Sequence, residues 1–104
     1  MAATAKSDVD VFNSWESMGL QEDLVRGMYK CDFKAPSAVQ QRFIVPCLQG
    51  KDVIAQAASG SGKTCAFCIA AMQKVDRRVR ETQVLILNPT RELAQQSENT
   101  CQKL

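Results

Sequence analysis

The stretch "AASGSGKT", residues 57–64, places two glycines, two serines, a lysine and a threonine in one short loop. A phosphate carries negative charge that must be met without steric clash. Glycines let backbone N–H groups converge on it, because no Cβ blocks the approach. A helix that starts where the loop ends adds a partial positive charge and unpaired N–H groups. Lys63 then reaches the terminal phosphates as a point charge, and Thr64 offers a hydroxyl to Mg²⁺. The expected phosphate set is Ala58, Ser59, Gly60, Ser61, Gly62, Lys63 and Thr64. Ala57 stands where the general G-x-x-x-x-G-K-[ST] pattern has its first glycine. The plain alternative is a flexible glycine turn without a ligand.

A second cluster, "CAFC" at 65–68, has the spacing of a metal or redox pair. Zinc needs a second ligand pair; the chain has no histidine, and no other cysteine pair has ligand spacing. Two small side chains buried on a helix are the expectation. Five cysteines, an odd number, with no apolar leader in "MAATAKSDVD", point to free thiols in a reducing compartment. The cytoplasm is expected, with the nucleus left open. The longest apolar run, Cys65 to Met72, is far short of the ~20 residues that span a bilayer. The run of Arg77, Arg78 and Arg80 reads as a solvated helix end.

These groups need elements to hold them. A strand, "DVIAQA", should lead into the loop, and a helix, "KTCAFCIAAMQKV", should leave it with Phe67, Ile69, Ala70, Met72 and Val75 inward. "TQVLILN" reads as a second strand buried on both faces, as in parallel sheets. Upstream, Leu20, Leu24, Val25 and Met28 recur at helical spacing. Ser37 and Gln40 form a Ser-x-x-Gln capping box, so a helix should start at Ser37. Its apolar face is Val39, Phe43, Ile44, Cys47 and Leu48, Pro46 falls late in it, and Gly50 marks its stop. Thr90 is placed to cap a last helix over "PTRELAQQSENTCQKL". Length 104, hydrophobic content 45% and charged content 23% suit one small globular domain at most, and a net charge of +2 selects no partner. The order helix, helix, strand, helix, strand, helix opens an α/β domain.

"DFKAPSAVQ", "AASGSGKT" and "PTRELA", in this order, with "MGL", "RGMY" and "GKDVIAQ", resemble the start of a DEAD-box RNA helicase, and within that family the group of translation initiation factor 4A. The resemblance runs from about Trp15 to Gln96. Alanine at the position of Ala57 is usual in that family. The resemblance implies an incomplete RecA-like P-loop fold, a parallel sheet with flanking helices, that stops after the first RNA-contact motif; in that sheet 52–57 and 83–88 are not neighbours, so both are expected to lack partners here and to leave open apolar edges. It implies ATP and Mg as cofactors. It sets Phe33 against the adenine, Gln40 on its edge, Ser37 in support of the loop, and Trp15 as a further adenine-side contact. An amide suits that edge, because it offers a donor and an acceptor together, as adenine's N6 and N7 require. Asp32 departs from the family's usual glycine, whose left-handed angles an aspartate tolerates less well. Pro89, Thr90 and Arg91 would hold a backbone phosphate of single-stranded RNA without reading its sequence. Scaffold proteins of translation initiation are implied as partners, and no membrane is.

The domain expectation is a flexible start over 1–11, the helicase portion over 12–96, and a diverging tail over 97–104. Within the helicase portion lie the adenine motif at 32–40, the phosphate loop at 57–64 and the RNA-contact motif at 89–94. The family's reaction is ATP hydrolysis coupled to opening of an RNA duplex. No D-E-A-D and no S-A-T occurs among the 104 residues, nor does a second RecA-like domain with its arginine finger. Nucleotide binding without turnover is therefore expected. Two other readings compete. One is a non-enzymatic piece that binds ATP or RNA weakly, competes with the full-length helicase, or does not fold stably. The other is a different P-loop enzyme, such as a kinase or GTPase, against which "PTRELA" and the adenine motif both speak.

Overall fold

The computed structural model describes residues 10–104, so most of the expected flexible start at 1–11 lies outside it. Four α-helices appear: α1 (Glu22–Lys30), α2 (Ala38–Leu48), α3 (Lys63–Lys74) and α4 (Arg91–Lys103). A 3₁₀ turn, Glu16–Met18, precedes them. Among the described residues α3 is central, with α2, α4 and α1 packed against it. The core joins Trp15, Met18, Leu24, Met28, Ile44, Val45, Ala66 and Ile69.

Local chemistry sets the helix ends. α2 is capped by Ser37, whose N–H donates to Gln40 Oε1 at 2.8 Å. That is one half of the expected capping box. The Ser37 hydroxyl stands in capping position, yet it is buried without a hydrogen-bond partner. Pro46 has no N–H to donate, and α2 runs only two residues beyond it. Gly50, at φ +85°, then turns the chain: its N–H donates to Cys47 O at 3.2 Å, and Lys51 N–H donates to Pro46 O at 3.1 Å. This pair of bonds is a Schellman motif.

The same motif ends α1, with Asp32 in the glycine position. Asp32 N–H donates to Tyr29 O and Phe33 N–H to Met28 O, both at 3.0 Å, and Asp32 takes φ +66°. A side chain in this region costs about 1–2 kcal/mol, against about 0.5–1 kcal/mol of extra chain entropy for glycine. The Asp32–Lys34 pair, at 3.8 Å and exposed, offsets little. Asp32→Gly is therefore expected to raise the unfolding free energy by about 0.5 kcal/mol, read as a higher urea midpoint at unchanged slope. A lower midpoint would show that Asp32 contributes more than its backbone strain costs.

The two expected strands are not formed. Residues 52–57 and 83–88 make no ladder, and no strand occurs among the described residues. Nor are these segments buried on both faces: Ile54 is 100% exposed, Leu87 83% and Leu85 76%. The cause is non-local. A strand exists only when a neighbour pairs with its N–H and C=O groups, and these two segments do not pair with one another or with anything else described.

Helix α4 continues without a break through Gln96 to Lys103, across the expected boundary. Its buried member is Ser97, while Leu93 is 41% exposed. Leu104 packs against the core, close to Gly27 of α1. No helix among the described residues is long and apolar enough to cross a membrane.

Candidate functional site

The glycine loop lies between the unpaired 52–57 segment and α3. Ala57 is buried, and Ala58, Ser59 and Gly60 are exposed. A turn closes on Ser61 N–H donating to Ala58 O at 3.1 Å. Gly60 and Gly62 take φ of +81° and +92°, where side chains are strained. Gly62 caps α3, and its carbonyl accepts the Ala66 N–H at 2.9 Å. Lys63 stands exposed and Thr64 half-buried at the helix start. Ser61 Oγ is buried and has no hydrogen-bond partner among the described residues. A cleft of about 520 Å³ opens here, lined by Ser59, Gly60, Lys63 and Thr64 on one side and by Leu93, Gln96 and Thr100 of α4 on the other.

Gln40 ties this loop to α2. Its Oε1 accepts from Ser37 N–H at 2.8 Å, and its Nε2 donates to Gly62 O at 3.1 Å. The amide is buried, 7% exposed. Each of its ends has used one hydrogen-bonding position, so one donor and one acceptor remain. Contact is so close that a Cβ on Gly62 would lie 2.6 Å from Gln40 Nε2 and 3.0 Å from Ser37 Oγ. Sequence reasoning pairs Gln40 with a helix cap and a base. The bond to Gly62, twenty-two residues away, has no local signal.

Phe33 is half-buried at the edge of the core and lines a neighbouring cleft of about 540 Å³. Trp15 is covered by the core, at 1% exposure, and its indole N–H donates to Phe33 O at 2.9 Å. Its place is behind residues 32–40, holding the backbone of Phe33, and not on the surface.

Pro89, Thr90 and Arg91 are exposed together at the start of α4. Thr90 Oγ1 accepts from Leu93 N–H at 3.2 Å, so this hydroxyl caps the helix as expected. Arg91 forms no ion pair among the described residues. An exposed guanidinium beside unpaired helix N–H groups suits an oxyanion.

The "CAFC" thiols sit on α3, Cys65 half-buried and Cys68 fully buried. Burial pushes the Cys68 thiol up to about 12, helped by contact with Cys101. Burial also raises Cys65. Neither has the lowered pKa of a thioredoxin-type nucleophile. No group of three or more metal-ligating side chains occurs among the described residues.

Residues 37–104 match the family model described as DEAD/DEAH box helicase. The chain is 55% identical over 87 residues to eukaryotic initiation factor 4A of Drosophila melanogaster, covering 84% of this chain and 22% of that protein. It is 52% identical over 94 residues to the ATP-dependent RNA helicase FAL1 of Mycosarcoma maydis, covering 90% and 24%. The chain thus spans about a quarter of the length of these relatives. Among solved structures, S. cerevisiae Dbp5 bound to Gle1 and IP6 superposes with a TM-score of 0.86 at 33% identity, covering 90% of this chain and 25% of that one. A DEAD box protein from Methanococcus jannaschii gives 0.85 at 28% identity, covering 90% and 26%. The helices and loops built by this sequence are those of part of a RecA-like helicase domain. The chain belongs to the DEAD/DEAH box helicase family.

Proposed function

We propose that these residues form the nucleotide grip and the first RNA-backbone contact of an ATP-dependent RNA helicase similar to initiation factor 4A. The observation that carries this reading is the Gln40 amide, bonded to the loop at Gly62 with a donor and an acceptor to spare. It puts a group suited to adenine beside a loop suited to phosphate. The loop residues fit ATP with Mg: Ser61 Oγ is buried without a partner, Lys63 is exposed, and the Thr64 hydroxyl stands at the helix start. Bound ATP would supply the phosphoryl group. Lys63 would meet its terminal charge, Thr64 would hold Mg²⁺, and Phe33 and Gln40 would orient the base. Pro89, Thr90 and Arg91 would hold RNA at the other end of the 83–88 segment. Such a grip works in the cytoplasm, where initiation factors act.

Binding of a fluorescent adenine nucleotide tests the reading. Lys63→Ala and Gln40→Ala are each expected to weaken it roughly tenfold or more, the loss of one charge-assisted or fully desolvated hydrogen bond. Unchanged affinity in both would remove the proposed site. RNA-stimulated phosphate release by the 104-residue chain is expected to stay at background, since no D-E-A-D carboxylates lie within it to orient water.

A further inference from the structure

The clefts of the glycine loop and of Phe33 meet at two residues, Cys65 and Thr100. Cys65 is the third residue of α3 and directly follows Thr64. Cys31, the C-cap of α1, lines the Phe33 cleft together with Cys65. Both are half-buried, so each has an exposed part. Lys30 and Lys103 line the same cleft, with Asp32, whose carboxylate is engaged by Lys34. Cys31 S–H donates to Lys103 O at 3.4 Å, which holds that thiol at the cleft wall. Two ammonium groups at its wall favour an anionic reagent.

We propose that Cys31 and Cys65 form a thiol pair that an anionic small-molecule disulfide, such as glutathione disulfide, oxidises to an intrachain disulfide, and that this bond closes the nucleotide cleft. The inference rests on the nucleotide reading above. The Cys31 thiolate attacks one sulfur of the reagent, forming a mixed disulfide and releasing one thiolate. Cys65 then attacks the Cys31 sulfur, forming the Cys31–Cys65 bond and releasing the second. Two thiols of the protein are oxidised, one reagent disulfide is reduced, and the two protons leave with the released thiols. A nucleotide with its base at Phe33 and its phosphates at Lys63 must pass Cys65. A disulfide there occupies the seam and pins the start of α3 to the end of α1. Cys68 is fully buried and out of reach of such a reagent.

The chain is incubated with glutathione disulfide at pH 8, digested without reduction, and analysed by mass spectrometry. Fluorescent-nucleotide affinity is measured before and after, and again after dithiothreitol. The expected result is a peptide linking residues 31 and 65, a loss of affinity of tenfold or more, and recovery on reduction. Cys31→Ser and Cys65→Ser should each abolish the linked peptide, and Cys47→Ser should leave it. A mixed disulfide alone, or a link between Cys68 and Cys101 in its place, overturns the pairing. A 31–65 link with unchanged affinity overturns the gating. A reduced chain without nucleotide affinity overturns the site reading and the gating with it, while the linked peptide still decides the pairing.

Discussion

Gly62→Ala is expected to cost about 3 kcal/mol or more of stability and to release Gln40 from the loop. Two terms add. The φ of +92° charges a side chain about 1–2 kcal/mol. The added methyl also lies 2.6 Å from Gln40 Nε2 and 3.0 Å from Ser37 Oγ, both in a buried setting. One of these must move, at about 1–3 kcal/mol for overpacking, and the Gln40 bond to Gly62 O is strained or lost, at about 1 kcal/mol. Gly50→Ala separates the terms. Gly50 has a similar φ, +85°, and open space where the Cβ would stand. It should lose only the backbone share. Urea unfolding of both variants checks this: a difference of about 2 kcal/mol is expected, and equal losses would show that the Gln40 contact is slack. The nucleotide affinity of Gly62→Ala should fall with that of Gln40→Ala, because both break the same link.

Trp15→Ala is expected to be the most damaging single change away from the glycine loop. Trp15 is 1% exposed and anchors the core cluster, and removing a buried aromatic costs about 3–5 kcal/mol. Domains of this size hold about 5–15 kcal/mol in all, so much of the margin goes. Trp15→Phe keeps most of the apolar volume and loses the bond to Phe33 O. Its cost should be about 1–2 kcal/mol, from the unsatisfied carbonyl and the smaller ring. Circular dichroism with urea ranks the three proteins, and a Trp15→Phe loss equal to that of Trp15→Ala would mean that the hydrogen bond, not the ring, dominates. Trp15→Phe should also weaken adenine nucleotide binding, since the freed carbonyl loosens Phe33.

Helix ends were legible in the sequence because they are decided locally. Ser37 with Gln40, Gly50 and Thr90 each act within a few residues of themselves, and each stands where expected. The strands were not legible locally, because their pairing is decided elsewhere; only the family resemblance pointed to 52–57 and 83–88 lacking partners. The apolar run of 83–88 states a preference for burial, but Leu85 and Leu87 lie open where no second strand meets them. Asp32 is an intermediate case. Its departure from glycine was visible, and the structure adds that it accepts left-handed angles to close α1. The candidate site divides in the same way. Its residues were readable from spacing, while the Gln40–Gly62 bond and the burial of Trp15 come from contacts across 22 and 18 positions, and Cys31 and Cys65, 34 positions apart, come to line one cleft.

The open faces of Ile54, Leu85 and Leu87 should make folding of this chain depend on its concentration. Apolar side chains on unpaired backbone are a template for association with another copy. An associated form that binds folded molecules stabilises them by an amount that grows with concentration. Denaturation midpoints of the chain should then rise with the amount of protein in the cuvette, so Gly62, Trp15 and Asp32 variants are comparable only at one concentration.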